Sequence, residues 1–334
     1  MSIERKQLAD HYGRVATDLR VSVTDRCNLR CTYCMPEQGL DWLAKDSILT
    51  DEEIVRLIAI GVRDLGVTDV RFTGGEPLIR PSIVKLVEQV AQLPQAPRVA
   101  MTTNGIGLEL VAPSLAEAGL NRINVSLDTL RADRFSALTK RDRLADVLAG
   151  LEAAKQAGLN PVKINSVLMR GINEDEAPDL LRFAIANDYQ LRFIEQMPLD
   201  PMHQWSRENM VPADEILDSL RQHFALTPAD DERGAAPAEL WNVDGSNHSV
   251  GVIASVTQPF CGACDRTRIT ADGMVRNCLF ARREGDLKTL MRAGATDDQI
   301  AEAWLNEMSA KAPSHGIDQP NFLQPQRPMS AIGG

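Results

Sequence analysis

The chain has 334 residues, 44% of them hydrophobic and 25% charged, with a formal net charge of −10. This balance excludes a disordered chain, and the acidic sum excludes a general nucleic-acid binder, which needs a broad basic field, while leaving room for a small anionic ligand. The polar first residues lack the apolar stretch of a signal peptide, and no later run approaches the roughly 18–20 apolar residues of a membrane span, so a cytoplasmic protein without membrane contact is expected.

Apolar, β-branched runs at residues 19–23, 67–72, 99–103, 122–127, 162–168 and 191–194 predict strands. Between them, residues 52–65, 82–91, 108–118, 144–157 and 177–187 have helical spacing. Asp51 is placed to cap the first helix, Pro81 stands near the first turn of the second, and Gly66, Gly119 and Gly158 follow helix ends. Strict alternation of strand and helix implies parallel βαβ units with right-handed crossovers. Six such units fall short of the eight that close a full barrel. The expected fold is therefore α/β: a partial (βα)6 TIM-type barrel with a C-terminal α+β extension covering its open side.

After residue 198 the pattern changes. Residues 213–224 read as one more helix and 228–239 as a polar linker, and 228–249 carry no interpretable motif. Asp244-Gly245 and Asp272-Gly273 are hairpin turns, residues 284–308 are again helical, and the stretch from Pro313 is rich in Pro, Gln and Gly. A boundary between 199 and 245 divides the chain into a barrel unit, 1–245, and a C-terminal region, 246–334.

The six cysteines fall into two trios. Cys27, Cys31 and Cys34, spaced C-x3-C-x2-C, lie just beyond the first strand. Three thiolates converging from a loop suit an iron–sulfur cubane, and its fourth iron is left open to a small molecule. Cys261, Cys264 and Cys278 form a second trio, which suits either another cluster or a structural zinc site completed by a histidine such as His248 or His315. Disulfides would strand one thiol in each trio.

Tyr33 before the third cysteine and Gly74-Gly75-Glu76-Pro77 after the second strand resemble the signature of the radical S-adenosylmethionine superfamily. LRVSVTDRCNLRCTYC, VRFTGGEP, TTNG, NVSLD, FIEQMP, CDRTRIT and the terminal Gly333-Gly334 extend the resemblance over nearly the whole chain to the molybdenum cofactor biosynthesis A family within it. The resemblance implies two [4Fe-4S] clusters. On the first, S-adenosylmethionine is reductively cleaved to a 5′-deoxyadenosyl radical. That radical removes the 3′ hydrogen of GTP, and C3′ then bonds to C8, giving 3′,8-cyclo-7,8-dihydro-GTP. The second cluster is expected to hold the guanine. The implied partners are a one-electron reductant protein and a downstream pyranopterin-forming enzyme, and a homodimer is compatible with the pattern.

Residue roles divide in the same way. Strand alternation turns Arg20, Arg71 and Lys163 toward one face, where a solvated or salt-bridged cation is the ordinary reading. The Arg266-Thr267-Arg268 run stands beside the second trio, where charge-assisted contacts can hold a triphosphate, and Asp265 can instead pair with one of these arginines. By resemblance, these six residues and Thr102 contact GTP, whereas Tyr33, Gly75, Ser126 and Met197 contact S-adenosylmethionine. A strand-end threonine and a core methionine are the ordinary readings of Thr102 and Met197. Asn104 and Asp128 are supporting residues, and Arg276, Arg282 and Arg283 read as surface charges. The glycine pair, ordinarily a frayed tail, is expected to enter the cavity and assist catalysis. Two competing readings are a peptide-modifying enzyme of the same superfamily and a zinc-binding scaffold.

Overall fold

The computed structural model describes residues 6–230, 233–317, 319 and 322–333. Six parallel strands lie side by side in chain order: β1 (Asp18–Ser22), β2 (Asp69–Thr73), β3 (Arg98–Thr103), β4 (Arg122–Ser126), β5 (Val162–Val167) and β6 (Gln190–Ile194). The crossovers carry α1 (Asp51–Asp64), α2 (Ile83–Ala91), α3 (Leu108–Glu117), α4 (Ala132–Thr139), α5 (Leu144–Gln156) and α6 (Ala177–Ala186). Their apolar faces pack on the sheet in one continuous core that includes Leu57, Val87, Leu115, Val147 and Leu181. This is the partial barrel expected of the sequence.

Two local expectations change. Thr50, not Asp51, caps α1, in a reciprocal capping box with Glu53. Asp51 instead receives Arg80 and Ser82, tying α1 to the start of α2. The short helix α4 escaped the sequence reading because eight residues, four of them charged or polar, give little periodicity.

The C-terminal region joins the barrel sheet at both edges. After α7 (Ala213–Arg221) come β7 (Leu226–Pro228), β8 (Glu239–Val243) and β9 (Ser249–Ile253), and β9 pairs in parallel with β6. Strand β10 (Arg266–Ile269) pairs in parallel with β1 at the opposite edge, followed by β11 (Met274–Arg276) and β12 (Gly285–Asp286). The result is one 12-stranded sheet, and the β8–β9 hairpin crosses residue 245. Both turn motifs make hairpins, β8–β9 and β10–β11. The helical stretch after 284 divides at Gly294, in the left-handed region, into α8 (Leu287–Arg292) and α9 (Asp297–Ser309). A final turn, α10 (Met329–Ile332), is clamped by Arg327, whose guanidinium reaches Asp272 at 2.8 Å and Glu284 at 2.9 Å. Arg276 is a correction: it is fully buried and ion-paired with Glu284, so its role is to fold the hairpin rather than to face solvent. Among the described residues, no helix is long and apolar enough to cross a membrane.

Candidate functional site

The first cysteine loop is held by backbone from two sides. Arg30 and Thr32 donate their N–H groups to the carbonyls of Thr139 and Leu138 at the end of α4, at 2.9 and 3.0 Å. On the other side, Gly75 and Glu76 donate to the carbonyls of Thr24 and Arg26, each at 2.7 Å. A Cβ on Gly75 would lie 2.1 Å from the Arg26 oxygen, so only glycine permits this approach. Glu76 is buried and accepts from the Thr103 hydroxyl, the Asn104 N–H and the Leu78 N–H. Burial raises its pKa to about 7.

Tyr33 donates its hydroxyl to Asp128 at 2.6 Å, and burial raises Asp128 to about 6. The thiols share this dry setting. Burial, then the neighbouring Glu76, pushes Cys27 up to about 11. Cys31 and Cys34 are pushed higher by burial, by one another's trio and by Asp128. The thiols raise one another as neighbouring like charges, and bound iron, being cationic, would offset the penalty of ionising them.

The second trio is set differently. Cys261 opens a short 3-10 turn, Cys264 follows it, and Cys278 arrives after β11. Arg14, paired with Asp10, donates to the carbonyls of Cys261, Ala312 and Pro313 at 2.7–2.9 Å. Cys264 is pulled below its ordinary pKa: burial opposes this, but the charges of Lys311 and Arg266 outweigh it. Cys261 is raised by burial.

All six cysteines are free thiols and half-buried. Among the described residues, no group of three His, Cys, Asp or Glu side chains converges as ligands of one metal ion would.

Between the loops lies a cavity of about 340 Å³ lined by both trios. Tyr33, Gly75, Thr102, Ser126 and Met197 line it, as do Asn104 and Asp128. Cations face it from strands on either side: Arg20 on β1, Arg192 on β6, and Arg266 and Arg268 on β10. Arg266 stacks 4.9 Å from the centre of the Phe260 ring and donates to the Ala235 carbonyl, so the unassigned β7–β8 connection supports this wall.

Arg71 and Lys163 share the inward face of their strands but do not line the cavity: Arg71 is buried and Lys163 half-buried. On β5, Lys163 shares the face of Asn165 and Val167, both of which line it. Arg71 is in register with Arg20. Burial and then Arg20 lower Arg71 to about 9, and burial, then Arg192, lowers Lys163 to about 7. Buried nitrogens of Arg20 and Arg71 have no protein hydrogen-bond partner, which leaves donors free in this cationic interior.

Thr267 departs from expectation. Between two inward arginines on a strand, its side chain must face outward, and its hydroxyl accepts from the buried Trp304 indole at 3.0 Å. The tail does reach the site: Met329 and Ser330 line the cavity, and the Gly333 carbonyl accepts from Arg268 at 2.5 Å. A Cβ on Gly333 would lie 2.3 Å from the Thr73 hydroxyl oxygen. Gly334 lies outside the described residues. Sequence reasoning missed Arg192, although the alternation rule that selected Arg20 also selects it. Arg14 and Phe260 had no such signal.

A GTP 3′,8-cyclase of Streptomyces coelicolor is 64% identical over 328 residues, which cover 98% of this chain and 96% of the relative. The chain belongs to the GTP 3′,8-cyclase family. A family member from Mycolicibacterium smegmatis is 57% identical, covering 98% of this chain and 92% of its own. Residues 21–184 match the Radical SAM superfamily and residues 189–317 match Molybdenum Cofactor Synthesis C. A solved structure of SuiB from Streptococcus suis, bound to S-adenosylmethionine, covers 92% of this chain and 69% of its own with a TM-score of 0.57. At 14% identity it supports the fold alone.

Proposed function

We propose that this chain is a GTP 3′,8-cyclase of molybdenum cofactor biosynthesis that converts GTP to 3′,8-cyclo-7,8-dihydro-GTP. The observation that carries this reading is the single cavity onto which both cysteine trios and four arginines face. Cys27, Cys31 and Cys34 would hold the first [4Fe-4S] cluster, and Cys261, Cys264 and Cys278 the second. When bound, the first cluster supplies the electron that cleaves S-adenosylmethionine to a 5′-deoxyadenosyl radical.

The protein's own groups do the rest by placement. Gly75, Ser126, Met197 and Tyr33 form the S-adenosylmethionine side of the cavity, with Asp128 fixing the Tyr33 hydroxyl. Arg20, Arg266 and Arg268, which line the same cavity, would bind the triphosphate, with Thr102 also in contact with GTP and Arg71 and Lys163 adding positive charge. Thr267 would act only through its backbone, because its side chain serves the core. Holding the two ligands in one enclosed space converts hydrogen abstraction into a step between fixed neighbours and excludes water from the radical. Gly333, whose carbonyl Arg268 holds, would assist catalysis together with Gly334.

The electron requires a one-electron reductant protein, and the reactive product requires a downstream pyranopterin-forming enzyme. Reduced thiols and oxygen-sensitive clusters suit the cytoplasm.

The test is anaerobic incubation of reconstituted protein with GTP, S-adenosylmethionine and reductant. The expected result is 5′-deoxyadenosine together with the cyclised nucleotide. Cleavage of S-adenosylmethionine with unaltered GTP would overturn the assignment.

A further inference from the structure

The second cysteine loop holds a cation that the reaction just described does not use. Lys311 follows α9 and is only 4% exposed. Its ammonium donates to the carbonyls of Cys264 and Arg266 at 3.2 and 3.1 Å and to the Cys264 sulfur at 3.3 Å. Among the described residues it forms no ion pair with a carboxylate. Glu307, one helical turn earlier, engages the Asn277 amide instead, and Asp265 lies 3.5 Å from Arg266.

Burying an ammonium group among neutral acceptors is strongly unfavourable unless an anion lies within reach. The one contact of Lys311 that can carry negative charge is the Cys264 sulfur. Among the described residues no cation makes the same contact with Cys27 in the first loop: its sulfur is approached by the Leu29 N–H at 3.4 Å and the Asn104 amide at 3.8 Å, both neutral donors.

We propose that Lys311 is a positioning residue that serves as the counter-ion of the second iron–sulfur cluster, compensating the cluster's negative charge through Cys264 and raising its reduction potential. The proposal rests on the reading that Cys261, Cys264 and Cys278 hold a cluster. A fixed positive charge beside a ligand sulfur favours the reduced, more negative state, so its removal shifts the couple downward. The hydrogen bond also holds the Cys264 loop against the end of α9.

The experiment compares reconstituted full-length wild type with Lys311→Met and Lys311→Arg by iron content and by potentiometric titration followed by electron paramagnetic resonance. The second cluster's signal is the one that survives in Cys27→Ala. Expected for Lys311→Met is a lower midpoint potential of that signal, with the first cluster's signal unmoved and Lys311→Arg close to wild type. Selective loss of the second cluster in Lys311→Met, restored in Lys311→Arg, equally supports the counter-ion role. An unchanged potential in a fully loaded Lys311→Met overturns it, as does loss of the second cluster in both variants, which would show a demand for lysine's shape rather than its charge. Wild type that takes up only one cluster's iron defeats the two-cluster reading itself, a result visible before any Lys311 variant is made.

Discussion

Around Cys27, Cys31 and Cys34 the charged neighbours are the other thiols of the trio together with the buried carboxyls of Glu76 and Asp128, whereas Cys264 in the second loop is governed by Lys311 and Arg266. Cys264 is thus presented in an electrostatic setting opposite to that of the first trio, while Cys261 is raised by burial as the first three thiols are. In the first loop, added cationic character is favourable, which matches a sulfonium ligand. In the second, the surrounding arginines and lysine favour anionic character, which matches a triphosphate. A common ligand count therefore says little about what each loop receives, and the charge on the wall behind it says more.

Removing a thiol breaks the comparison most severely. Cys27→Ala is expected to abolish S-adenosylmethionine cleavage and cyclisation together while leaving the second loop's cluster in place, read by iron content and 5′-deoxyadenosine formation. Intact cleavage would count against the first loop as the reductive site. Next in size, Gly333→Ala forces a Cβ toward Thr73, and a displacement of this kind costs about 100-fold in rate. Cyclisation should fall by that factor while S-adenosylmethionine cleavage persists.

Arg268→Ala sharpens the contrast on the basic side. Loss of charge-assisted contacts worth about 1.5–3 kcal/mol is about a 10- to 100-fold loss of GTP affinity, measured by binding to the loaded enzyme, with S-adenosylmethionine affinity unchanged. The smallest effect is the pH dependence of GTP binding. Lys163, lowered to about 7, is charged below that pH with or without ligand. Above it, the free protein loses the proton and GTP must recruit it back, so affinity should fall by up to about tenfold per pH unit until the bound lysine titrates. Lys163→Met should flatten this slope, and an unchanged slope in that variant would remove Lys163 from the phosphate site.

Much of this was legible in the linear chain because it depends on short-range pattern. The six barrel strands, the two glycine turns and the cysteine spacing each repeat or cluster within a few residues, and alternation along β1 and β2 correctly turned Arg20 and Arg71 inward. Arg276 reads as exposed in the linear chain because it is a charged residue beyond a hairpin turn. Its burial depends on Glu284, reached only once β12 folds back against β11. Thr267 was grouped with its neighbours by a contiguous motif, yet strand geometry separates alternate residues, and Trp304 of α9 decides where its hydroxyl goes.

By itself, the sequence determined the alternating strands and helices, the two trios of thiols and the interior direction of most strand cations, since these follow from periodicity and residue chemistry. Only the tertiary structure decided that β9 and β10 extend opposite edges of one sheet, which brings residues more than two hundred positions apart to a shared cavity. It also decided the electrostatic difference between the loops: Lys311 and Arg14 approach Cys264 and Cys261 from distant segments, and Coulomb interactions depend on separation in space, not along the chain.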